Sequence, residues 1–378
     1  MSIIIGADLV PTESNYNLFI ENKIESIIGP ELRDVLNKSD YNIFNLEAPL
    51  TDNLDSKIYK NGPSIRIKEC CVSAIKEMNV SMLSLANNHI MDYGENGLLN
   101  TLKQLNKFKI SYVGVGNSVY EAKKPFYFDV GKRKYGVYSC AEHEFSIATN
   151  TKPGANPYDA LETYDDIEEA KSKCNYLIVL YHGGKEFYQY PSPLLQRQCR
   201  KMVDKGANLV ICQHSHCIGC QEIWKDATIV YGQGNFLFDD GTDSLLWNEG
   251  MLVRISDDLE IDYIPIEHIN NTVRMSGENR EKILLDFFKR SEKIQDINFI
   301  ENQYRNFASL NIEEYLLQLK GTDNIFIRCL NKIFKFNKKT LFSRYRIYNR
   351  LYIQNIMECE AHRELLIEGL KIKNEIKQ

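Results

Sequence analysis

Along the first two-thirds of the chain, apolar runs of strand length stop abruptly at polar residues. The sharpest case is Leu209-Val210-Ile211-Cys212, followed by Gln213-His214-Ser215-His216. Two histidines at i and i+2 point to one side of an extended chain, and imidazole is the commonest metal ligand among side chains. Alone, such a pair can equally be two hydrogen-bonded loop histidines. The other runs bear on that choice. Ile3-Ile4-Ile5 leads into Gly6-Ala7-Asp8, Tyr41 to Leu46 into Glu47, Val80 to Leu85 into Asn87-Asn88-His89, and Tyr176 to Tyr181 into His182. Helical patterns lie between them, at Cys71, Ala74, Ile75 and Met78, at Leu98, Leu99, Leu102 and Leu105, and over Glu162 to Lys173 and Leu194 to Lys205. Strands alternating with helices, each strand delivering polar residues just past its C-terminal end, predict an α/β layer structure that binds ligands at that edge. The edge collects Asp8, Glu47, Asn88, His89, His182, His214 and His216.

Other features narrow the class. Phe126 to Val130 and Tyr135 to Cys140 read as a hairpin around Gly131-Lys132, and Thr228 to Tyr231, Met251 to Ile255 and Glu260 to Ile264 finish the sheet-forming part. Gly114-Val115-Gly116 reads as a turn, since no GxGxxG follows. Past about Ile269 helical stretches replace strands (Glu278 to Ile294, Ile312 to Leu319, Leu341 to Ile376), giving an expected division into a domain over 1–269 and a helical region over 270–378. The ten cysteines, without a basic leader at the N-terminus, read as reduced intracellular thiols. No apolar run approaches the roughly 18–20 residues that span a bilayer, so neither a signal peptide nor a transmembrane segment is expected. The expected address is the cytoplasm. Cys212, Cys217 and Cys220 beside the histidines raise a zinc-knuckle reading, but no second half stands at matching spacing.

Several ordered blocks resemble the CapA family, the capsule or poly-γ-glutamate synthesis proteins with a calcineurin-like metallophosphatase fold. They are Gly6-Ala7-Asp8, Asn45-Leu46-Glu47, Leu85-Ala86-Asn87-Asn88-His89 with Asp92-Tyr93-Gly94, His182-Gly183-Gly184-Lys185-Glu186, Gln213-His214-Ser215-His216 with Gln221-Glu222, and Gly234-Asn235-Phe236. The resemblance covers roughly residues 3 to 266. It implies a metallophosphatase-like layered sandwich of mixed β-sheets flanked by helices, with a C-terminal helical appendage. It also implies one or two divalent ions (Mn, Fe or Zn), with Glu47 bridging, Asn88, His182 and His214 on one ion, and Asp8 and His216 on the other. His89 and Asp92 are the implied catalytic residues, His89 protonating a leaving group or orienting an attacking water. Most metallophosphatases carry Asp-x-His in the first block, whereas Asp8-Leu9-Val10 stands here, which leaves one ion short of a ligand. The implied function is metal-dependent hydrolysis in capsule or cell-surface polymer synthesis, on a small phosphoester or amide. The alternative is a non-catalytic assembly protein that holds an anionic polymer.

The net charge of -5 argues against nucleic acid as a partner but leaves room for a local basic patch. Between Asn324 and Met357 no acidic residue occurs, while Arg328, Lys332, Lys335, Lys338, Lys339, Arg344, Arg346 and Arg350 alternate with aromatics. Such a stretch is either a solvated face of the helical region or a peripheral contact over 328–350 with an anionic membrane surface or polymer. Each basic residue near an anionic bilayer is worth about 1 kcal/mol. The second reading predicts sedimentation with anionic liposomes or poly-γ-glutamate at low salt, fading as salt rises. A variant with Lys335, Lys338, Lys339, Arg344 and Arg346 changed to Gln should stay in the supernatant. Equal, poor pelleting of both proteins at low salt would leave only the solvated face.

Overall fold

The computed structural model describes residues 1–60, 62–239, 244–319 and 346–375. Its strands are β1 (Ile3–Val10), β2 (Tyr41–Asn45), β3 (Met82–Ser84), β4 (Ser111–Val113), β5 (Val115–Gly116), β6 (Phe126–Val130), β7 (Arg133–Ala141), β8 (Gly154–Ala155), β9 (Tyr176–His182), β10 (Leu209–Gln213), β11 (Gln221–Trp224), β12 (Ala227–Tyr231), β13 (Asn235–Phe238), β14 (Glu249–Ile255), β15 (Ile261–Ile269) and β16 (Thr272–Met275). One sheet runs β16-β15-β14-β1-β2-β3-β4, with β13 added on β1; a second runs β11-β12-β10-β9-β7-β6, and β5 with β8 forms a short ribbon. In the first sheet β1 to β4 are mutually parallel and β14 to β16 antiparallel. In the second, β7, β9, β10 and β12 are parallel, with antiparallel β6 and β11 at the edges. The mixed-sheet α/β sandwich expected from the sequence is therefore present.

The period-two alternation of each strand decides which layer it feeds. Ile3 and Ile5 of β1, Ile178 and Leu180 of β9, and Leu209 and Ile211 of β10 meet in one core between the two sheets. Ile4 of β1 and Phe44 of β2 turn the other way, onto the helices Pro30–Lys38, Cys71–Glu77 and Gly94–Lys107. Leu177, Val179, Val210 and Cys212 pack under the helices Thr163–Lys171 and Pro193–Asp204. Strands buried on both faces read as continuous apolar runs, which is why β9 and β10 stand out in the sequence. Fully burying one such side chain contributes roughly 1.5–3 kcal/mol, so the inter-sheet core holds the strand ends firmly. The helix Pro193–Asp204 starts with Pro193 in its first turn and the Ser192 hydroxyl accepting from the Leu195 amide.

The described chain divides into two compact units, residues 1–58 with 64–301, and residues 59–63 with 302–378. Residues just past 269 remain with the first unit because β16 pairs antiparallel with β15, and the helix Arg280–Lys293 follows it. In the second unit the helical stretch expected over Leu341 to Ile376 holds, among the described residues, two helices, Ile347–Glu358 and Glu360–Glu375, separated at Cys359 in extended conformation. Of the eight basic residues of the 328–350 stretch, Arg346 and Arg350 are described; the other six lie outside the described residues. Among the described residues no helix is long and apolar enough to cross a membrane.

Candidate metal centre

The C-terminal ends of parallel strands from both sheets bring the chemistry together. Asp8 lies within β1 where its pairing shifts register, and Asn45 of β2 and Asn235 of β13 stand opposite it. That irregularity re-aims a side chain that a regular strand would direct elsewhere. Glu47 follows β2 by two residues, Asn88 and His89 follow β3, His182 closes β9, and His214 and His216 follow β10. His214 and His216 do not sit in extended chain, as i, i+2 spacing suggests. Both have left-handed backbone, φ +83° and +50°. The loop bends there, and the shared direction of the two rings comes from that bend. For non-glycine residues such conformations cost of order 1–3 kcal/mol and concentrate at functional sites.

His182 Nε2 lies 3.1 Å from Glu47 Oε1, 3.0 Å from Asn88 Oδ1 and 3.1 Å from His214 Nδ1, and Glu47 Oε1 is 4.0 Å from His214 Nδ1. One ring N–H cannot satisfy three acceptors at once. Donors bound at about 2.0–2.1 Å around a tetrahedral ion stand roughly 3.4 Å apart, so this spacing fits a shared cation. Glu47 is fully buried and neither of its carboxylate oxygens accepts a well-directed hydrogen bond. An ion there would remove the desolvation cost of that carboxylate. On the other side His216 Nδ1 is 3.4 Å from Asp8 Oδ2 and 2.8 Å from Asn235 Oδ1, while its Nε2 faces Glu47 Oε1 at 4.0 Å. Donor atoms of Glu47, His182 and His214 form one group within 4.8 Å of one another, and those of Asp8, Glu47 and His216 form a second. Glu47 belongs to both.

The surroundings hold these groups in place. Asn45 Nδ2 donates to Asp8 Oδ1 at 2.7 Å, and Asn87 donates to Asn45 Oδ1 at 3.1 Å. Asn88 Nδ2 donates to Glu144 Oε2 at 3.1 Å, leaving its Oδ1 toward His182. His89 Nδ1 is 2.7 Å from Asp92 Oδ2, and the Ile65 amide also donates to that oxygen at 2.8 Å. The Trp247 ring lies 4.6 Å from the His216 ring and Phe238 5.6 Å, so aromatic surface backs that histidine. Val10 is buried in the helix-facing core and offers no ligand beside Asp8. Cys217 and Cys220 are buried free thiols whose ionisation burial pushes up, Cys217 to about 12.

The implied metal residues Asp8, Glu47, Asn88, His182, His214 and His216 thus share one locus, and His89 pairs with Asp92 beside it. Sequence reasoning does not single out Asn45, Asn235, Glu144 or Glu186 for the site. Asn45, Asn235 and Glu186 carry a signal, since each stands in a block that also supplies the resemblance. Glu144 follows β7 with no distinguishing pattern.

Within this fold and donor set the chain defines a layered α/β protein with a candidate two-ion centre. It belongs to the family described as bacterial capsule synthesis protein PGA_cap, whose model matches residues 6–240. Among curated relatives, the PGA biosynthesis protein CapA of Bacillus subtilis (strain 168) is 31% identical over 58% of this chain and 59% of its own. The capsule biosynthesis protein CapA of Bacillus anthracis is 32% identical over 54% of this chain and 52% of its own. The chain thus matches little more than half the length of each. Similarity to solved structures is lower. A putative 5'-nucleotidase from Staphylococcus aureus in complex with alpha-ketoglutarate has a TM-score of 0.44 and 15% identity, covering 76% of this chain and 58% of that one. A hypothetical protein from Thermus thermophilus has the same TM-score at 13% identity, covering 71% of this chain and 100% of that one.

Without metal the site's charges are unequal. Burial acts to raise Asp8, yet the neighbouring His216 brings it down to about 2. Burial and then the Asp8 charge push Glu47 up. Burial lowers His182 to about 4, whereas His216, despite burial, is carried up to about 10 by Glu47 and Asp8. A raised histidine stabilises the fold below its unfolded value near 6.5 and loses that contribution as pH rises to 10; a lowered one stabilises above 6.5 and loses it as pH falls to 4. Above pH 6.5 the loss from His216 is not opposed by Glu47, whose raised carboxyl also loses its contribution as pH rises; below pH 6.5 Glu47 and His182 act against each other. Melting temperatures in EDTA should fall from about pH 7 to about pH 10; a steady rise over that range would contradict the charge assignment.

Proposed function

We propose that the chain is a metal-dependent hydrolase of capsule or poly-γ-glutamate-type polymer synthesis, cleaving a phosphoester or a γ-linked amide. The observation that carries this reading is the Glu47–Asn88–His182–His214 group, four oxygen and nitrogen donors at the spacing of one coordination shell. Glu47, Asn88, His182 and His214 would hold one ion, and Asp8, Glu47 and His216 a second. The oxygen and nitrogen set suits Mn²⁺, Fe or Zn²⁺. When bound, such an ion supplies Lewis-acid polarisation and acidifies water. The polymer context is supported by the relatives' names, both of which refer to capsule or PGA biosynthesis.

His89 is the proton carrier in this scheme. Asp92, fixed by the Ile65 amide, holds His89 through Nδ1, so that Nε2 is the ring nitrogen that would deliver a proton to a leaving group or orient water. Asp92 thereby sets the ring's tautomer and direction. The polymer-binding alternative draws on the second group, which offers only three protein donors; a protein of that kind would hold metal and turn nothing over.

The test is a Mn²⁺-supplemented screen of phosphodiester and γ-glutamyl substrates. His89→Ala should lower turnover by roughly 10²–10⁴-fold with metal content unchanged. An unchanged rate against a poor leaving group would remove His89 from the chemistry, and loss of metal would make it a ligand. Full metal loading without turnover of either bond type would favour the binding role.

A further inference from the structure

The two halves of the centre are unequally supplied. The His182 side has Glu47, Asn88 and His214, whereas Asp8, Glu47 and His216 leave the other side one donor short of the four that borderline divalent ions commonly take. Val10, two residues past Asp8, is core. One further carboxylate reaches the histidines: donor atoms of Glu186, His214 and His216 lie within 4.8 Å of one another.

The backbone places Glu186 there. The loop leaving His182 turns at Gly184, φ +109°, whose amide donates to Glu142 Oε1 at 3.0 Å. Past Glu186, the amide of Phe187 donates to the carbonyl of Ser215 at 2.8 Å, and Ser215 is the residue between the two histidines. The Glu186 loop and the histidine loop are thus tied to each other within one residue of each donor. Phe187 takes a left-handed φ of +58° to make that bond, a conformation unfavourable for a bulky residue and kept only where the surroundings impose it. Glu186 itself is only partly buried, in contrast to fully buried Asp8 and Glu47. Its donor atom lies beside His214 and His216, one histidine from each donor group of the centre.

We propose that Glu186 is a metal ligand, supplying the donor missing from the Asp8–Glu47–His216 position. This rests on the two-ion reading of the site and deepens it. The alternative role for Glu186 is a surface carboxylate compensated by the adjacent Lys185.

The experiment is Mn²⁺ titration of the full chain by calorimetry, with elemental stoichiometry and electron paramagnetic resonance, for wild type, Glu186→Gln and Glu186→Asp. Wild type should take up two ions with a spin-coupled spectrum. Glu186→Gln should keep one ion, weaken the second by about tenfold or more, on the scale seen when a metal site loses a supporting contact, and show the uncoupled single-ion spectrum. Glu186→Asp, which keeps the carboxylate, should fall between. A melting temperature within the wild-type range after chelation establishes that the variants fold. Two ions bound by Glu186→Gln with wild-type affinity would overturn the assignment while leaving the two-ion centre standing. Wild type binding one ion, with Glu186→Gln unchanged, would overturn the assignment and the second position together. Wild type binding none would overturn the metal reading as a whole.

Discussion

A carboxylate with both oxygens removed from water is the constraint on which the rest of the site depends. Glu47 is fully buried at the junction of two donor groups, without a well-directed hydrogen bond to either oxygen. Isolated burial of such a charge is expensive, and proteins answer it with a proton, a partner or a metal. In the metal-free chain the answer is partial. Glu47 is pushed toward the protonated form by burial and by Asp8, while His216 is held charged between the two carboxylates. A divalent cation would replace that improvised balance with a stronger one and would release the proton from His216.

The fold makes that arrangement possible by fixing the donors from several directions. Asp8, Glu47 and Asn88 come from one sheet, His182, His214 and His216 from the other, and the apolar layer between the sheets sets their separation. The left-handed backbone at His214 and His216 is strain that this packing must sustain. A further close approach supports it. Gly250 of β14 crosses the carbonyl of Asn235 so tightly that a Cβ would overlap it, and Asn235 accepts from the His216 ring. Even a methyl group at 250 would push on the residue that orients His216.

How much of this is legible in the sequence follows from what each signal depends on. β9 and β10 are readable because strands buried on both faces carry uninterrupted apolar runs. Residues at the ends of such runs can be placed at one edge by topology alone, which is why Asp8, Glu47, Asn88, His182, His214 and His216 emerge together. The short strands β8, β11, β13 and β16 are not readable, since two to four residues give periodicity too little length. Asn235 escapes notice as a site residue for that reason, being the first residue of β13. The bend at His214 is also hidden, because spacing reports a period and not a φ angle. Glu144 stands in a loop without a motif, and Glu186, though it closes a resembling block, reaches the histidines only through a loop whose course is set by tertiary contacts such as the Phe187–Ser215 bond.

Metal content tests the central claim most directly. Protein produced with Mn²⁺, Fe and Zn²⁺ available and then freed of loosely held ions should retain at least one divalent ion per chain by elemental analysis. A His182→Ala, His214→Ala double variant, shown to be folded by its circular dichroism, should lose the ion those residues share with Glu47 and Asn88. Full metal content in that folded variant would contradict the account.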